Sequence, residues 1–118
     1  MKILVINPGS TSTKLAVFED GLLIWKQSIS HPAAELAPFQ HINEQYEYRK
    51  QHVLETLEQA DIPLQFDAVV ARGGMLRPIP GGVYQINEEM KHDLWHASME
   101  HASNLAGLIA DELAQQMD

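Results

Sequence analysis

The beginning of the chain alternates short apolar runs with turn residues, a pattern that predicts three β-strands. A continuous apolar run at residues 3–6 stops at a Pro-Gly turn, as buried strands do. Residues 14–19 (KLAVFE) and 22–28 (LLIWKQS) are also strand-like, and Asp20-Gly21 between them is a strong hairpin signal. We therefore expect a three-stranded antiparallel meander.

Helical spacing follows in the middle of the chain. Residues 30–40 contain two prolines and are expected to form a loop. From residue 42 to 60 apolar side chains recur at helical intervals, and Pro63 ends this predicted helix. Residues 66–71 (FDAVVA) predict a short apolar strand with a parallel partner in the sheet.

The last part of the chain predicts a turn, a short strand and two helices. Residues 78–82 (PIPGG) predict a rigid turn, and residues 83–86 suggest a further short strand. Asn87 is a good N-cap for a helix over residues 88–97, whose first turn is acidic. A second helix is predicted from Ser103 to the end of the chain. Its apolar face consists of Leu105, Leu108, Ile109 and Leu113.

Composition and charge limit the classes of function. A length of 118 residues fits one domain over residues 1–118, and the lack of cysteine excludes disulfides, a thiolate nucleophile and cysteine-ligated metals. The net charge of −8, from 8 Lys plus Arg against 16 Asp plus Glu, argues against nucleic-acid and anionic membrane partners. No signal-peptide pattern and no run of about 18 apolar residues is present. We therefore expect a cytoplasmic protein.

The candidate chemistry lies in the turn between the first two predicted strands, at residues 7–14 (NPGSTSTK). Its four hydroxyls and the Asn7 amide can donate hydrogen bonds to phosphate oxygens, and Lys14 adds a compact positive charge. Gly9 permits a left-handed backbone and the close approach of a ligand. The segment is not a Walker-type loop, which needs a second glycine and a following helix. From the residues alone, an ordinary turn rich in Ser and Thr is an open alternative.

Three strings in the chain resemble the acetate and butyrate kinase family, and within it the butyrate kinases. VINPGSTSTKLAVF is similar to the first phosphate-binding loop of the family, in the form with Pro8 that is typical of butyrate kinases. VVARGGMLRPIPGGVYQIN at residues 69–87 is similar to the butyrate kinase segment, with Arg72 where most acetate kinases have His. EHASNL at residues 100–105 is a third match. The strings occur in the family's order and cover most of the chain.

The resemblance implies a fold class and a reaction. A meander, a crossover helix and a further strand match a half-domain of the ribonuclease H-like ATPase fold, an α/β fold shared by sugar kinases, actin and chaperone ATPases. Family members transfer the γ-phosphoryl group of ATP, with Mg²⁺, reversibly to a short-chain carboxylate such as butyrate, which gives an acyl phosphate and ADP. We also expect a homo-oligomer. Because the family needs a second domain and the predicted last helix has no stop signal, we expect the chain to be truncated at its C-terminus.

The resemblance also assigns roles to ten residues. The catalytic residues are Asn7, Lys14 and Arg72; the phosphate-binding residues are Gly9, Ser10, Thr11 and Ser12; the substrate-binding residues are Arg77, His101 and Asn104.

Purely structural roles are open alternatives for several of these residues. Arg72 could form a structural salt bridge under the glycine turn. His101 could mark a helix entry that Ser103 caps. An apolar set could line an acyl pocket or belong simply to the core: Met75, Leu76, Ile79 and Val83.

Two further hypotheses concern metals and overall function. His92 and His96 are four residues apart on a predicted helix but lack a third ligand, so no metal site is predicted. The leading functional hypothesis is part of a carboxylate kinase that is inactive alone. The alternative is a catalytically incomplete module that self-associates or binds phosphate.

Overall fold

A four-stranded mixed β-sheet forms the centre of the computed structural model, which describes residues 1–74, 76 and 79–117. The strands are β1 (Lys2–Pro8), β2 (Ser12–Glu19), β3 (Leu22–Ser30) and β4 (Ala68–Ala71). Their order is β3-β2-β1-β4, with β1 antiparallel to β2, β2 antiparallel to β3, and β4 parallel to β1. The predicted meander and the predicted parallel strand are both confirmed.

The hairpin between β2 and β3 has the predicted two-residue turn. Glu19 pairs with Leu22, so that Asp20 and Gly21 alone form the loop. Both turn residues lie in the left-handed region, with φ of 51° at Asp20 and 83° at Gly21. Positive φ at both positions is what the tight turn requires, because its twist must match that of the strands.

In the described ranges, four α-helices connect and cover the sheet. They are α1 (Ala33–Leu36), α2 (Tyr46–Gln59), α3 (Glu88–Trp95) and α4 (Asn104–Gln116), and a 3-10 turn at Ile42–Gln45 leads into α2. The prediction of a loop throughout residues 30–40 is wrong in part, since β3 continues to Ser30 and α1 forms a single turn after Pro32. The N-cap is confirmed: the Asn87 side chain accepts a bond of 2.8 Å from the Met90 amide.

The predicted strand at residues 83–86 is wrong. This segment is irregular in the structure, and Val83 is 99% exposed. Ile86 is the residue of the segment that packs against the core cluster. A strand needs a neighbour for its backbone groups, and one inward-facing side chain does not bring this segment to a sheet edge.

One face of the sheet carries the hydrophobic core. Leu4 is registered with Val17, and Ile6 with Leu15, so all four side chains point to the same face and are fully buried. Helices α2 and α4 pack on this face. Their buried contributions are Val53 and Leu57 from α2 and Leu105, Ile109 and Leu113 from α4. Burying each such side chain contributes about 1.5–3 kcal/mol to the stability of the fold. The packing of several of them holds both helices against the sheet.

Polar contacts fix the helices to each other. The Lys50 ammonium lies 2.9 Å from a Glu112 carboxylate oxygen, and the Tyr46 hydroxyl also donates to Glu112. Lys91 on α3 lies 3.0 Å from Asp111 on α4. No helix in the described part of the chain is long and apolar enough to cross a membrane.

Candidate functional site

Three neighbouring strand ends bring together the residues predicted to be catalytic. Asn7 on β1 is registered with Lys14 on β2. Arg72 follows β4, one residue beyond the registered pair of Ile6 and Ala71, and its amide donates to the Ile6 carbonyl over 3.3 Å. Asn7, Lys14 and Arg72 therefore lie side by side across the ends of the three strands. Side chains alternate along strands, so Asn7 and Lys14 belong to the sheet face opposite the core, and Arg72 follows the end of β4 beside them.

This row presents positive charge to solvent. Lys14 and Arg72 are exposed and Asn7 is half-buried. Within the described part of the chain, no carboxylate forms an ion pair with Lys14 or Arg72. The alternative that Arg72 forms a structural salt bridge therefore has no acidic partner among those residues. Two cations without a carboxylate partner among the described residues, beside an amide donor, suit an anion.

The turn between β1 and β2 adjoins this row. Ser10 and Thr11 are exposed at its tip, and Ser12 begins β2. The Gly9 amide donates to the Ser12 carbonyl over 2.7 Å, which closes the turn. We call residues 9–12, which the sequence predicts to bind phosphate, the phosphate loop.

Gly9 does not adopt the left-handed conformation that a glycine permits, since among the described glycines only Gly21 has a positive φ. A Cβ at Gly9 would lie 3.4 Å from the Ser12 hydroxyl oxygen, an ordinary contact distance. The glycine therefore keeps the loop surface open and does not supply an unusual backbone angle.

A buried arginine that sequence reasoning missed lies under the phosphate loop. Arg49 on α2 is fully buried, and its guanidinium donates to the carbonyls of Ser10 and Ser12, each over 3.0 Å. It also donates to the Thr13 hydroxyl over 3.2 Å and the Gln45 side-chain oxygen over 2.9 Å. Burial lowers the pKa of Arg49 from its ordinary value, although a guanidinium keeps its charge.

A signal for this burial was present in the sequence. Arg49 precedes Val53 by four residues and Leu57 by eight, so all three share one face of α2. The apolar stripe of the helix was thus a signal that Arg49 is buried, although it gave no sign of its partners.

His31 completes the packing beneath the loop. Its amide donates to the Thr11 carbonyl over 2.8 Å, and its Nε2 lies 2.7 Å from the Thr13 hydroxyl. The ring is buried beside Tyr48 and His52 at centroid distances of 5.2 and 5.6 Å. Burial, with a smaller effect of the Arg49 charge, lowers the pKa of His31 to about 4. His31 is therefore neutral at pH 7.

The glycine turn after β4 contacts the start of α4. A Cβ on Gly74 would lie 2.8 Å from the Asn104 Cα and 2.8 Å from the Ser103 carbonyl oxygen. Asn104 is buried, and its side-chain amide donates to the Met99 carbonyl over 3.1 Å. The structure thus brings Asn104 to the turn that follows Arg72.

His101 is exposed and makes local contacts with Ser103. The His101 Nδ1 accepts from the Ser103 amide over 3.0 Å and lies 2.8 Å from its hydroxyl oxygen. Ser103 stands at the N-cap position of α4, as one alternative predicted, but its side chain makes no capping bond to the helix. Arg77, the third residue predicted to bind substrate, lies outside the described residues.

A largely apolar cavity of about 800 Å³ lies between β4, the segment that follows it, and helices α3 and α4. Leu76, Ile79 and Val83, three of the four residues predicted to form an acyl pocket, line it. Met75, the fourth, lies outside the described residues. Because Val83 and Ile79 are exposed, the cavity is open to solvent on their side.

Comparison with known proteins identifies similar sequences. No protein-family model matches the chain. It is 63% identical over 116 residues to a probable butyrate kinase of Phocaeicola vulgatus, covering 98% of this chain and 33% of that protein. It is 54% identical over 117 residues to a probable butyrate kinase of Bacteroides thetaiotaomicron, covering 99% and 33%, respectively. It is 48% identical over 116 residues to butyrate kinase 2 of Clostridium acetobutylicum, covering 97% and 33%. The chain spans about a third of the length of these relatives, and the resemblance predicted from its motifs is confirmed.

Proposed function

We propose that this chain, a homologue of the butyrate kinases, is the part of a short-chain carboxylate kinase that holds the transferring phosphoryl group. The reaction is reversible transfer of the γ-phosphoryl group from ATP to a carboxylate such as butyrate, which gives an acyl phosphate and ADP. The homology favours this role over that of a non-catalytic module.

The observation that carries the proposal is the row formed by Asn7, Lys14 and Arg72. A carboxylate and a phosphoryl group are both anions and repel each other as they approach. Fixed positive charge and hydrogen-bond donors at the transferring group offset this repulsion, and they act most strongly when they are oriented beforehand. Adjacent strand ends provide that fixed orientation.

The phosphate loop supplies further donors. In this proposal Ser10, Thr11 and Ser12 hold phosphate oxygens through hydroxyl and amide groups, and Gly9 leaves room for the ligand. These groups suit the phosphates of ATP. Among the described residues, no cluster of three or more His, Asp or Glu side chains could hold a metal ion. We propose that Mg²⁺ enters with ATP, because Mg²⁺ in such sites binds mainly phosphate oxygens and water.

The acyl group is proposed to occupy the open apolar cavity beside β4. Its lining residues Leu76 and Ile79 suit a short alkyl chain. Arg77, His101 and Asn104 are proposed to border the carboxylate end. The contact of Asn104 with the glycine turn after Arg72 supports this for Asn104.

Several broader proposals accompany this function. We propose that residues 1–118 form one domain with the topology of a ribonuclease H-like half-domain, which the strand order β3-β2-β1-β4 supports. A second domain would close over the substrates. We propose a homo-oligomer, and a cytoplasmic location is consistent with the use of ATP.

A chimeric enzyme tests the proposal. This chain replaces the corresponding third of the Phocaeicola vulgatus relative, and butyryl phosphate formed from butyrate and ATP is trapped with hydroxylamine. We expect activity in the chimera and a loss of about 100-fold in kcat on Lys14→Met, which removes one charge from the transferring group. The matched control is Lys26→Met. Lys26 is an exposed lysine on the same sheet face, paired with Ala16, and its loss should leave the rate unchanged.

Two results would contradict the proposal in different ways. If the folded chimera formed no butyryl phosphate while the parent relative did, the proposed reaction would be wrong for this chain. If Lys14→Met reduced activity no more than Lys26→Met, the proposed role of the Asn7, Lys14 and Arg72 row would be wrong.

A further inference from the structure

Arg49 is a buried charge without a counter-ion among the described residues. Its exposed fraction is zero, and its donors contact backbone carbonyls, a hydroxyl and a side-chain amide. No carboxylate forms an ion pair with it in the part of the chain that the structure describes. Taking a charge out of water costs free energy unless the charge is paired. An apolar residue at this position would therefore stabilise the core more than Arg49 does.

The bonds of Arg49 determine which way the phosphate loop faces. The guanidinium fork holds the Ser10 and Ser12 carbonyls, and the His31 amide holds the Thr11 carbonyl between them. In a planar trans peptide the carbonyl of one residue and the amide of the next point in opposite directions. The Thr11 amide therefore points away from Arg49, toward the exposed side of the loop.

Both the geometry and the charge of Arg49 favour an anion on that exposed side. Holding the Ser10 carbonyl inward removes a negative dipole from the loop surface and presents an amide donor in its place. The guanidinium also puts a positive charge directly under the loop, where the protein interior screens it poorly.

We propose that Arg49 is the positioning residue of the phosphate loop: it holds the Ser10 and Ser12 carbonyls inward so that the loop amides can bind phosphate oxygens. The inference rests on the proposed function, since it takes this loop as the phosphoryl-binding element. Arg49 does not itself touch the ligand.

The experiment compares three variants of the full chain by NMR. Arg49→Met removes both charge and fork, and Arg49→Lys keeps the charge but supplies one ammonium in place of the fork. Lys50→Met is the matched control, because it removes the adjacent buried cation of α2, whose partners are Glu47 and Glu112. Inorganic phosphate is titrated while the amide resonances of the loop are followed.

Ligand-free hydrogen exchange gives a second readout that does not depend on phosphate. The amides of Gly9 and His31 donate to loop carbonyls, so their protection reports whether the loop is held closed. Circular dichroism establishes that each variant is folded.

We expect Arg49→Met to weaken phosphate binding about tenfold or more, because hydrogen bonds from a charged donor are lost. The Gly9 and His31 amides should lose protection, while Lys50→Met keeps phosphate affinity within about twofold of the original. Arg49→Lys should fall between the two, since one ammonium cannot hold both carbonyls. If Arg49→Met does not fold, Arg49→Lys decides the question.

Wild-type phosphate affinity in Arg49→Lys, or in a folded Arg49→Met, would overturn the inference. A chain that does not respond to phosphate at all would overturn the proposed function of the loop and the anion-binding half of the inference. Unchanged protection of Gly9 and His31 in Arg49→Met would overturn the loop-holding half, whatever the phosphate result.

Discussion

Lowering the pH from 7 to 5 should destabilise the fold through His31. The ring is buried beneath the phosphate loop, next to Arg49 and His52. Protonating it would place a second buried positive charge beside the guanidinium. Thr13, its hydrogen-bond partner, has a hydroxyl and offers no negative charge in return.

The size and sign of the effect follow from the two pKa values of His31. The pKa is about 6.5 in the unfolded chain and about 4 in the folded protein. Between these values the unfolded chain binds more protons, so stability is fully present above pH 6.5 and is lost as the pH falls toward 4. From pH 7 to pH 5 the loss amounts to about 2 kcal/mol.

The assay is urea denaturation followed by tryptophan fluorescence at pH 7 and pH 5. His31→Gln removes the titrating group and keeps a side chain that can bond to Thr13. The free energy of unfolding of this variant should be lower at pH 7. Because no group titrates at position 31, it should change much less between the two pH values. His96→Gln, at an exposed histidine, is the control and should keep the full pH dependence of the original chain.

Two carboxylates with lowered pKa values act mainly below this window. Hydrogen bonds lower the pKa of Glu100 and Glu112, so their contribution to stability is lost mainly at more acidic pH. If His31→Gln lost as much stability between pH 7 and pH 5 as the original chain, the reasoning about His31 would be refuted.

Two further predictions concern packing. Gly74→Ala should destabilise the fold by about 1–3 kcal/mol in urea denaturation, because its Cβ would lie 2.8 Å from the Asn104 backbone, whereas Gly73→Ala meets nothing within 4 Å and should be tolerated. Equal effects of the two substitutions would contradict the close approach. Ile109→Ala should cost about 2–5 kcal/mol, because Ile109 is fully buried, whereas the exposed Ile24→Ala should have a small effect on the melting temperature. A small loss at Ile109 would show that α4 does not pack on the sheet as described.

Two of the features predicted correctly from the sequence depend on residues close together in the chain. The Asp20-Gly21 turn forms because these two residues accept left-handed backbone angles, and Asn87 caps α3 through an amide three residues away. The wrong prediction of a strand at residues 83–86 concerns a non-local requirement. Residues 83–86 have strand-like residues, but a strand also needs a partner, and none of the described strands pairs with them.

The proposed chemistry of the phosphate loop also rests on neighbouring residues, since Asn7 to Lys14 is one contiguous string that carries the family resemblance. The donors and charges that the loop offers, and the turn between its flanking strands, therefore follow from neighbouring residues. The groups that lie beside and beneath the loop depend instead on long-range packing. The parallel pairing of β4 with β1 brings Arg72 next to Asn7, and the packing of α2 brings Arg49 to the Ser10 carbonyl, 39 positions away in sequence. A helical pattern can predict that an arginine is buried, but its hydrogen-bond partners depend on which backbone carbonyls the folded sheet turns toward it.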